Sequence, residues 1–359
     1  MIAPALDAGN HCEIAVIIQR DRGPTRAQSP VQLLMIDEKW YGYAMASSLP
    51  LSSLIRFGAG TGAGNRDAAL EGINSLAAWG YDIIWMPDHV AFTGPVSDPL
   101  VQLAYFAALQ PKLIYGTCVY LLPLRHPTTV AKVIATLDRL LGAGHFIFGV
   151  GVGGEFPAEY EACGIPVKER GGRTNEAIEI MRRLWTGEPV EQRGKYFSFG
   201  SITMQPKPAT PGGPPIWIGG RSAAALRRAA RLGDGWIPYV ISADRFAAGL
   251  ETIAREAEAA RRDFASFGTA VQVFATIADS YEKGIDIASE RLSKRYAMNF
   301  RDATRRYAAV GRPADIAQQL SAFIEAGARD IGIDMICPRA ERNAQLEQFA
   351  KEVIPLLRR

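Results

Sequence analysis

Two short polar segments, each directly after an apolar run, hold the side chains of this chain that are best suited to chemistry. Asp88 and His89 follow the run at 81–86, and Glu155 follows the glycine-rich segment 149–154. A neutral imidazole can exchange a proton near pH 7, and a carboxylate can act as acid or base. Functional groups of parallel α/β folds lie at the C-terminal ends of strands. We therefore predict one pocket for a flat cofactor, with His89 and Glu155 as proton-handling residues.

Structural interpretations of these residues stay open on the sequence alone. A strand-end histidine such as His89 can bond to a backbone carbonyl. An acid such as Glu155 at a helix N-terminus gains roughly 0.3–1 kcal/mol from the helix dipole. Cys118 ends a third apolar run, and no neighbouring charge would lower the pKa of its thiol. We expect Cys118 to be a small buried hydrophobe and not a nucleophile.

Glycines leave backbone bare at two strand ends, where a ring or an anion could approach. Gly151 and Gly153 lie in the segment 149–154, and Gly219 and Gly220 follow the apolar run at 215–218. The second pair opens a helix, whose N-terminal N–H groups can bind an anion, and Arg221 adds positive charge. We predict the cofactor phosphate here, although barrels usually hold phosphate after strands seven and eight.

The elements that must position these residues alternate between strand and helix from Leu54 onward. The clearest helix opens at Pro127 and stops at Gly142. A Gly- and Pro-rich hairpin is predicted within 187–213. The pattern is typical of a (β/α)8 TIM barrel with insertions after strands 4 and 7. Its eight predicted strands lie at 54–57, 81–86, 112–119, 145–150, 215–218, 235–237, 271–274 and 330–335.

One glycine-rich segment, 58–64, offers a competing interpretation. It matches the dinucleotide fingerprint G-x-G-x-x-G/A between a strand and a helix. A doubly wound nucleotide-binding fold has six strands in its usual order, which fits eight strand–helix units poorly. We therefore favour a flexible loop at the rim of a barrel pocket.

Composition narrows the classes of function. The 359 residues are 48% hydrophobic and carry a net charge of +3, which favours neither nucleic acid nor a membrane surface as a partner. The four cysteines show no metal-ligand spacing, so we expect no metal site and a reduced, cytoplasmic protein. No apolar run reaches the ~18 residues of a membrane span.

Residues 1–50 differ from the rest of the chain. They contain two short apolar runs, at 14–18 and 31–36, and no helical pattern of useful length. We predict a poorly ordered N-terminal extension followed by one barrel domain at 51–359. A small hairpin that covers the bottom of the barrel is the alternative.

From about Leu54 to its end, the chain resembles the bacterial luciferase-like monooxygenase superfamily, and within it the coenzyme F420-dependent oxidoreductases. The order and spacing of several motifs between residues 85 and 236 carry the resemblance. These motifs are WMPDH at 85–89, LPLRHP at 122–127, GVGVGGE at 149–155, ERGGRTNE at 169–176, PIWIGG at 215–220 and GDGW at 233–236.

The resemblance implies a barrel that holds a reduced deazaflavin or flavin at its C-terminal face, in a homodimer. It implies that His89 lies near the ring and that Asp88 orients it. It also implies a non-prolyl cis peptide between Cys118 and Val119. The remaining implied cofactor contacts are Thr117, Cys118 and Val119 behind the ring, and Gly219 and Gly220 at the phosphate.

Together, these features predict an F420-dependent oxidoreductase. Hydride would pass between C5 of the deazaflavin and a small organic substrate, with His89 and Glu155 handling protons. The alternative is an FMNH2-dependent monooxygenase that activates oxygen on the same fold, which the fold alone does not exclude. A non-catalytic flavin-binding or scaffold barrel is a third hypothesis, and it predicts no turnover with any donor.

Overall fold

The computed structural model of this chain describes residues 49–61 and 65–358. Most of the predicted extension, and the last three residues of the glycine segment 58–64, lie outside the described residues.

The strands come first, in chain order. They are β1 (Arg56–Ala59), β2 (Ile83–Met86), β3 (Ile114–Thr117), β4 (Tyr120–Leu121), β5 (Phe146–Gly151), β6 (Val190–Arg193), β7 (Ser198–Ile202), β8 (Ile216–Gly219), β9 (Gly235–Ile237), β10 (Gly268–Ile277), β11 (Ala308–Gly311) and β12 (Asp330–Met335).

Helices connect most of these strands. They are α1 (Arg66–Ala78), α2 (Pro99–Leu109), α3 (Pro127–Leu141), α4 (Pro157–Ala162), α5 (Arg170–Trp185), α6 (Ala223–Leu232), α7 (Ala243–Ala259), α8 (Tyr281–Tyr296), α9 (Arg301–Tyr307), α10 (Pro313–Glu325), α11 (Arg342–Gln348) and α12 (Ile354–Leu357). Short 3₁₀ turns lie at Leu122–Leu124, Val167–Glu169 and Arg339–Glu341, and a π-helical turn spans Phe349–Val353.

Eight parallel strands close into a ring in the order β1, β2, β3, β5, β8, β9, β10, β12. The ring closes where β12 pairs with β1, with Arg56 opposite Asp330. The eight strands are the eight predicted from apolar runs, with ends that shift by at most three residues. The predicted (β/α)8 barrel is therefore confirmed.

Two tryptophans fill much of the barrel interior. Trp85 on β2 and Trp217 on β8 meet with ring centroids 5.9 Å apart. Rings of this size fit only where the neighbouring strands present no side chain, because the interior is close-packed. A Cβ would lie within 2.6 Å of one of the two rings at each of four glycines, Gly58, Gly116, Gly235 and Gly268.

The predicted insertions follow β5 and β10. The first holds α4, α5 and the antiparallel pair β6–β7, which confirms the hairpin within 187–213. The second holds α8, α9 and β11, and the sequence did not predict β11. Three of its four residues, Ala308–Gly311, are poor strand formers, and pairing with the extended end of β10 holds them in place.

Local side-chain and backbone signals mark the ends of two helices, and those of α3 are where the sequence predicted them. The side chain of Asn65 accepts a hydrogen bond from Ala68 N at 3.0 Å and begins α1. Helix α3 begins at Pro127 and ends before Gly142. On α3, Val130, Ile134 and Leu137 are buried, whereas Val133 and Leu140 are exposed.

The chain joins the barrel before its first strand. Leu49 is buried in the main hydrophobic core. The carbonyl of Pro50 accepts a hydrogen bond from Phe267 N at 3.0 Å. Among the described residues, no helix is long and apolar enough to cross a membrane.

Candidate active site at the carboxyl end of the barrel

His89 lies in the loop that follows β2, at the carboxyl end of the barrel. Its Nδ1 is 3.1 Å from Oε2 and 3.2 Å from Oε1 of Glu159. The ring stacks on Phe92, with centroids 4.2 Å apart, and its edge meets Phe156. The side chain keeps 20% of its surface exposed, so His89 is held firmly and remains accessible.

Glu159 on α4 is the partner that sequence reasoning missed. It is 1% exposed, and Oε1 also accepts hydrogen bonds from Val90 N at 2.7 Å and Ala91 N at 3.0 Å. A buried carboxylate needs such donors, since burial without them is costly. In the sequence, Glu159 is only an acidic residue in a short helix after the glycine segment 149–154. Nothing in that pattern indicates that it contacts His89.

Asp88 does not orient His89, so that part of the prediction is wrong. Its carboxylate is buried and binds both terminal nitrogens of Arg125, and it accepts a hydrogen bond from Leu121 N at 2.8 Å. Burial lowers the pKa of Arg125, but hydrogen bonds and charge from Asp88 outweigh that effect and raise it. Asp88 therefore anchors the loop after β3 to the loop after β2.

The end of β3 has the backbone that the family resemblance implies. The peptide bond between Cys118 and Val119 is cis. Both residues are half-buried, whereas Thr117 is fully buried and its hydroxyl donates to the Gly149 carbonyl at 2.7 Å. Cys118 and Val119 can thus contact a bound ring, and the Thr117 side chain is already engaged below them.

The Cys118 thiol is not activated. Burial raises its pKa to about 12; a hydrogen bond with Gln272 on β10 lowers it less, and the Asp334 charge adds to the rise. This agrees with the prediction that Cys118 is not a nucleophile, although the residue is half-buried and not fully buried.

Two of the predicted cofactor glycines lie beneath Val119. A Cβ at Gly151 would be 2.3 Å from one methyl of Val119, and a Cβ at Gly219 would be 2.8 Å from the other. Both glycines are buried. Their absent side chains admit Val119. Of the four predicted cofactor glycines, Gly153 and Gly220 are the two whose backbone is partly exposed.

Gly220 lies at the start of α6, and its φ of +94° is a conformation that glycine adopts readily. Trp236 Nε1 donates to its carbonyl at 2.8 Å. Ser222 then caps the helix by accepting from Ala225 N at 3.2 Å. Arg221 is exposed beside this turn, so its charge and the N–H groups of the first turn of α6 form a positive corner.

Glu155 is exposed, and it pairs with a residue that the sequence did not single out. Tyr239, which follows β9, donates its hydroxyl to Glu155 Oε1 at 2.8 Å. Burial and the charge of Glu155 raise the pKa of Tyr239. The Arg221 guanidinium lies 5.7 Å from the tyrosine ring, so Glu155 and the positive corner share one neighbour.

An ion pair covers the side of the mouth near β12. Arg295 at the end of α8 binds Asp334 Oδ2 at 2.5 Å. The Arg295 carbonyl accepts a hydrogen bond from Thr93 in the His89 loop at 3.3 Å. These contacts join α8 to the loop after β2, and neither residue carried a sequence signal.

The predicted site residues thus gather at one end of the barrel but form separate contacts. His89 binds Glu159, Glu155 binds Tyr239, and Asp88 binds Arg125. Within residues 49–61 and 65–358, no group of His, Cys, Asp or Glu side chains could hold a metal ion. The arrangement supplies an accessible imidazole, an exposed carboxylate and a positive corner for an anion.

Comparison with known proteins bears on the family and the fold of this chain. The family model described as luciferase-like monooxygenase matches residues 51–330. An uncharacterized protein of Mycobacterium tuberculosis is 40% identical over 144 residues, which are 40% of this chain and 48% of that protein. The chain thus spans about half the length of the first curated relatives that it matches.

Two further relatives have names that state a cofactor. An F420-dependent hydroxymycolic acid dehydrogenase of Mycobacterium tuberculosis is 31% identical over 207 residues, 56% of each chain. An F420-dependent glucose-6-phosphate dehydrogenase of Beutenbergia cavernae is 27% identical over 310 residues, 78% of this chain and 90% of that protein.

Solved structures share the fold. An F420-dependent secondary alcohol dehydrogenase with an F420–acetone adduct matches with a TM-score of 0.75 and 19% identity, over 85% of this chain and all of that one. A monooxygenase from Streptomyces bottropensis matches with a TM-score of 0.72 and 23% identity, over 84% and 99% of the two chains.

Proposed function

Because the chain belongs to the luciferase-like monooxygenase family, we propose that it is an oxidoreductase that uses coenzyme F420. It would move a hydride between C5 of the deazaflavin and a small organic substrate. The observation that carries the proposal is the accessible imidazole of His89, held by Glu159 at the carboxyl end of the barrel. Relatives whose names include F420 support the choice of cofactor.

The residues present fit such a cofactor. The positive corner at Gly220 and Arg221 suits a phosphate, and a Cβ at Gly220 would meet Ala225 Cβ at 3.3 Å and narrow that approach. Cys118 and Val119 are half-buried apolar residues that can contact one face of a ring. Thr117, Gly151 and Gly219 would support the site from below and would not touch the cofactor.

The protein's own part in the reaction is to bind, orient and move protons. When bound, F420 supplies the carbon that accepts or gives the hydride. His89 takes the substrate's hydroxyl proton during oxidation and returns it during reduction. Glu155, held by Tyr239, is the second proton-handling group, and the same tyrosine lies beside Arg221 of the positive corner.

We infer a homodimer that acts in the cytoplasm on a small-molecule substrate. Exposed apolar side chains on two adjacent helices, Val101 on α2 and Val133 and Leu140 on α3, support a partner surface there.

A parallel titration of purified protein with F420 and with FMN, followed by fluorescence, tests the cofactor. We expect F420 to bind and FMN to bind at least about tenfold more weakly, a difference of 1.4 kcal/mol. Preference for FMN would contradict the proposal. It would favour an FMNH2-dependent monooxygenase instead, which oxygen consumption with reduced FMN would then reveal.

A further inference from the structure

We propose that Glu159 is the positioning residue for His89: it keeps a proton on Nδ1, so that Nε2 is the atom that exchanges a proton with the substrate. The exchange with substrate rests on the proposed function. The tautomer of His89 does not, since the contacts of the folded protein set it.

The geometry of the pair determines which nitrogen carries the proton. Both oxygens of Glu159 lie within 3.2 Å of Nδ1. One of them already accepts two backbone hydrogen bonds, from Val90 and Ala91. An ionised carboxylate only accepts, so Nδ1 must be the donor. Nε2 bonds to no group in the described part of the chain and stays available to a substrate.

The surroundings prevent the pair from rearranging. The Glu159 side chain is 2% exposed and is fixed by the two backbone donors. The His89 ring lies between Phe92, which stacks on it, and Phe156, which meets it edge-on. A ring flip would place a carbon against a buried carboxylate and leave a hydrogen bond unmade, which costs about 1–3 kcal/mol.

The tautomer matters for the balance of the reaction. In alcohol oxidation, a bound oxidised deazaflavin would accept the carbon-bound hydrogen together with its electron pair. The hydroxyl O–H bond breaks, the carbonyl double bond forms and the proton moves to an unprotonated nitrogen. Neutral His89 can accept it only at the nitrogen that carries no proton. With Nδ1 bonded to Glu159, that atom is Nε2.

The replacement Glu159→Gln tests the tautomer with little change in shape. The amide oxygen can keep the bonds from Val90 and Ala91, and the amide NH2 would then face Nδ1. Because that group donates, the proton of His89 should move to Nε2. We expect ¹⁵N NMR of histidine-labelled protein at about pH 8, above the ordinary histidine pKa, to show protonated Nδ1 in the wild type and protonated Nε2 in the variant. A His89→Gln spectrum assigns the signal among the four histidines.

Turnover gives the second measurement. We expect kcat to fall by about 10²-fold in Glu159→Gln, the lower end of what proton transfer by a positioned side chain contributes. The Kd for the cofactor should change less than about twofold, since the hydrogen bonds of the Glu159 side chain within the described chain go to His89 and its loop. The matched control is Glu161→Gln, an exposed residue of the same helix, which should leave the tautomer, Kd and kcat unchanged.

Several outcomes would overturn the inference. A wild-type spectrum in which His89 is protonated on Nε2, or on both nitrogens, would overturn it. This test needs no variant, so it holds even if Glu159→Gln fails to fold. A folded variant that keeps the wild-type tautomer and rate would do so as well. Absence of F420-dependent turnover would reject the proposed function and leave the NMR result to decide the role of Glu159.

Discussion

At the scale of single residues, neighbours in the sequence have opposite roles. Asp88 and His89 are adjacent, yet Asp88 binds Arg125 beneath the surface and His89 binds Glu159 at the mouth. Successive side chains of an extended segment point to opposite sides, so one faces the interior and the next faces the opening. The family resemblance implied that Asp88 orients His89, whereas the acid that contacts the His89 ring is Glu159.

Cys118 gives a pH-dependent prediction at this scale. With a thiol pKa of about 12, the thiolate fraction at pH 7.5 is on the order of 10⁻⁴ or lower, against several per cent for an ordinary thiol. We expect iodoacetamide to label Cys118 slowly at pH 7.5. As long as the pH stays below the thiol pKa, each increase of one pH unit should raise the labelling rate about tenfold. Mass spectrometry of its peptide measures the rate, and the same peptide in unfolded protein is the control. Equally fast labelling in folded and unfolded protein at pH 7.5 would contradict this result.

At the scale of elements, packing decides what the strand-end glycines do. Gly151 and Gly219 admit Val119, and Gly149 admits the Thr117 backbone. The sequence predicted exposed backbone at such positions because a glycine in a strand leaves both possibilities open. Whether the backbone of such a glycine is covered by packing or stays accessible to a ligand depends on the neighbouring strand.

Gly149→Ala tests the close packing of β5 on β3. The added Cβ would lie 1.9 Å from the Thr117 carbonyl oxygen, so backbone must move. We expect the free energy of unfolding to fall by about 2–3 kcal/mol, the upper part of the range for overpacking. Chemical denaturation measures it. Gly200→Ala on the exposed strand β7, where nothing lies within 4 Å of a new Cβ, should change stability by less than about 0.5 kcal/mol; equal losses would refute the argument.

Gly220→Ala tests the positive corner at α6. The methyl group would narrow the approach to the first-turn N–H groups, and we expect F420 affinity to fall at least about tenfold, or 1.4 kcal/mol. Gly212 has a similar φ, +77° against +94°, and lies in the hairpin insertion. Gly212→Ala therefore reproduces the backbone strain and should leave the Kd unchanged. An unchanged Kd in Gly220→Ala would place the phosphate elsewhere.

At the scale of the whole molecule, the barrel is closed by pairing and fastened by the segment before β1. Residues from 49 onward take part: Leu49 is buried, and Pro50 and Ser52 accept hydrogen bonds from Phe267 N and Arg329 Nε. The extension predicted at 1–50 therefore overlaps, at its last two residues, with the barrel itself.

Two truncations test where the barrel domain begins. Removal of residues 1–44 leaves these contacts in place, and we expect the free energy of unfolding to stay within about 0.5 kcal/mol of the full chain. Removal of residues 1–53 exposes the Leu49 pocket and breaks both hydrogen bonds. It should cost about 3 kcal/mol, from one buried leucine and two hydrogen bonds. Thermal and urea unfolding of the three chains measure this, and an equal loss in both truncations would argue against the boundary.

The sequence by itself determined the barrel, its eight strands, its insertions and the strand ends that carry polar residues. These follow from apolar periodicity, glycine and capping signals, which are local along the chain. It did not determine β11, whose alanines form a strand only by pairing with β10. The tertiary structure alone decided that Glu159 holds His89 across 70 residues and that Tyr239 holds Glu155 across 84. Such pairings depend on how loops from different strands meet at the barrel mouth, and no local pattern records that.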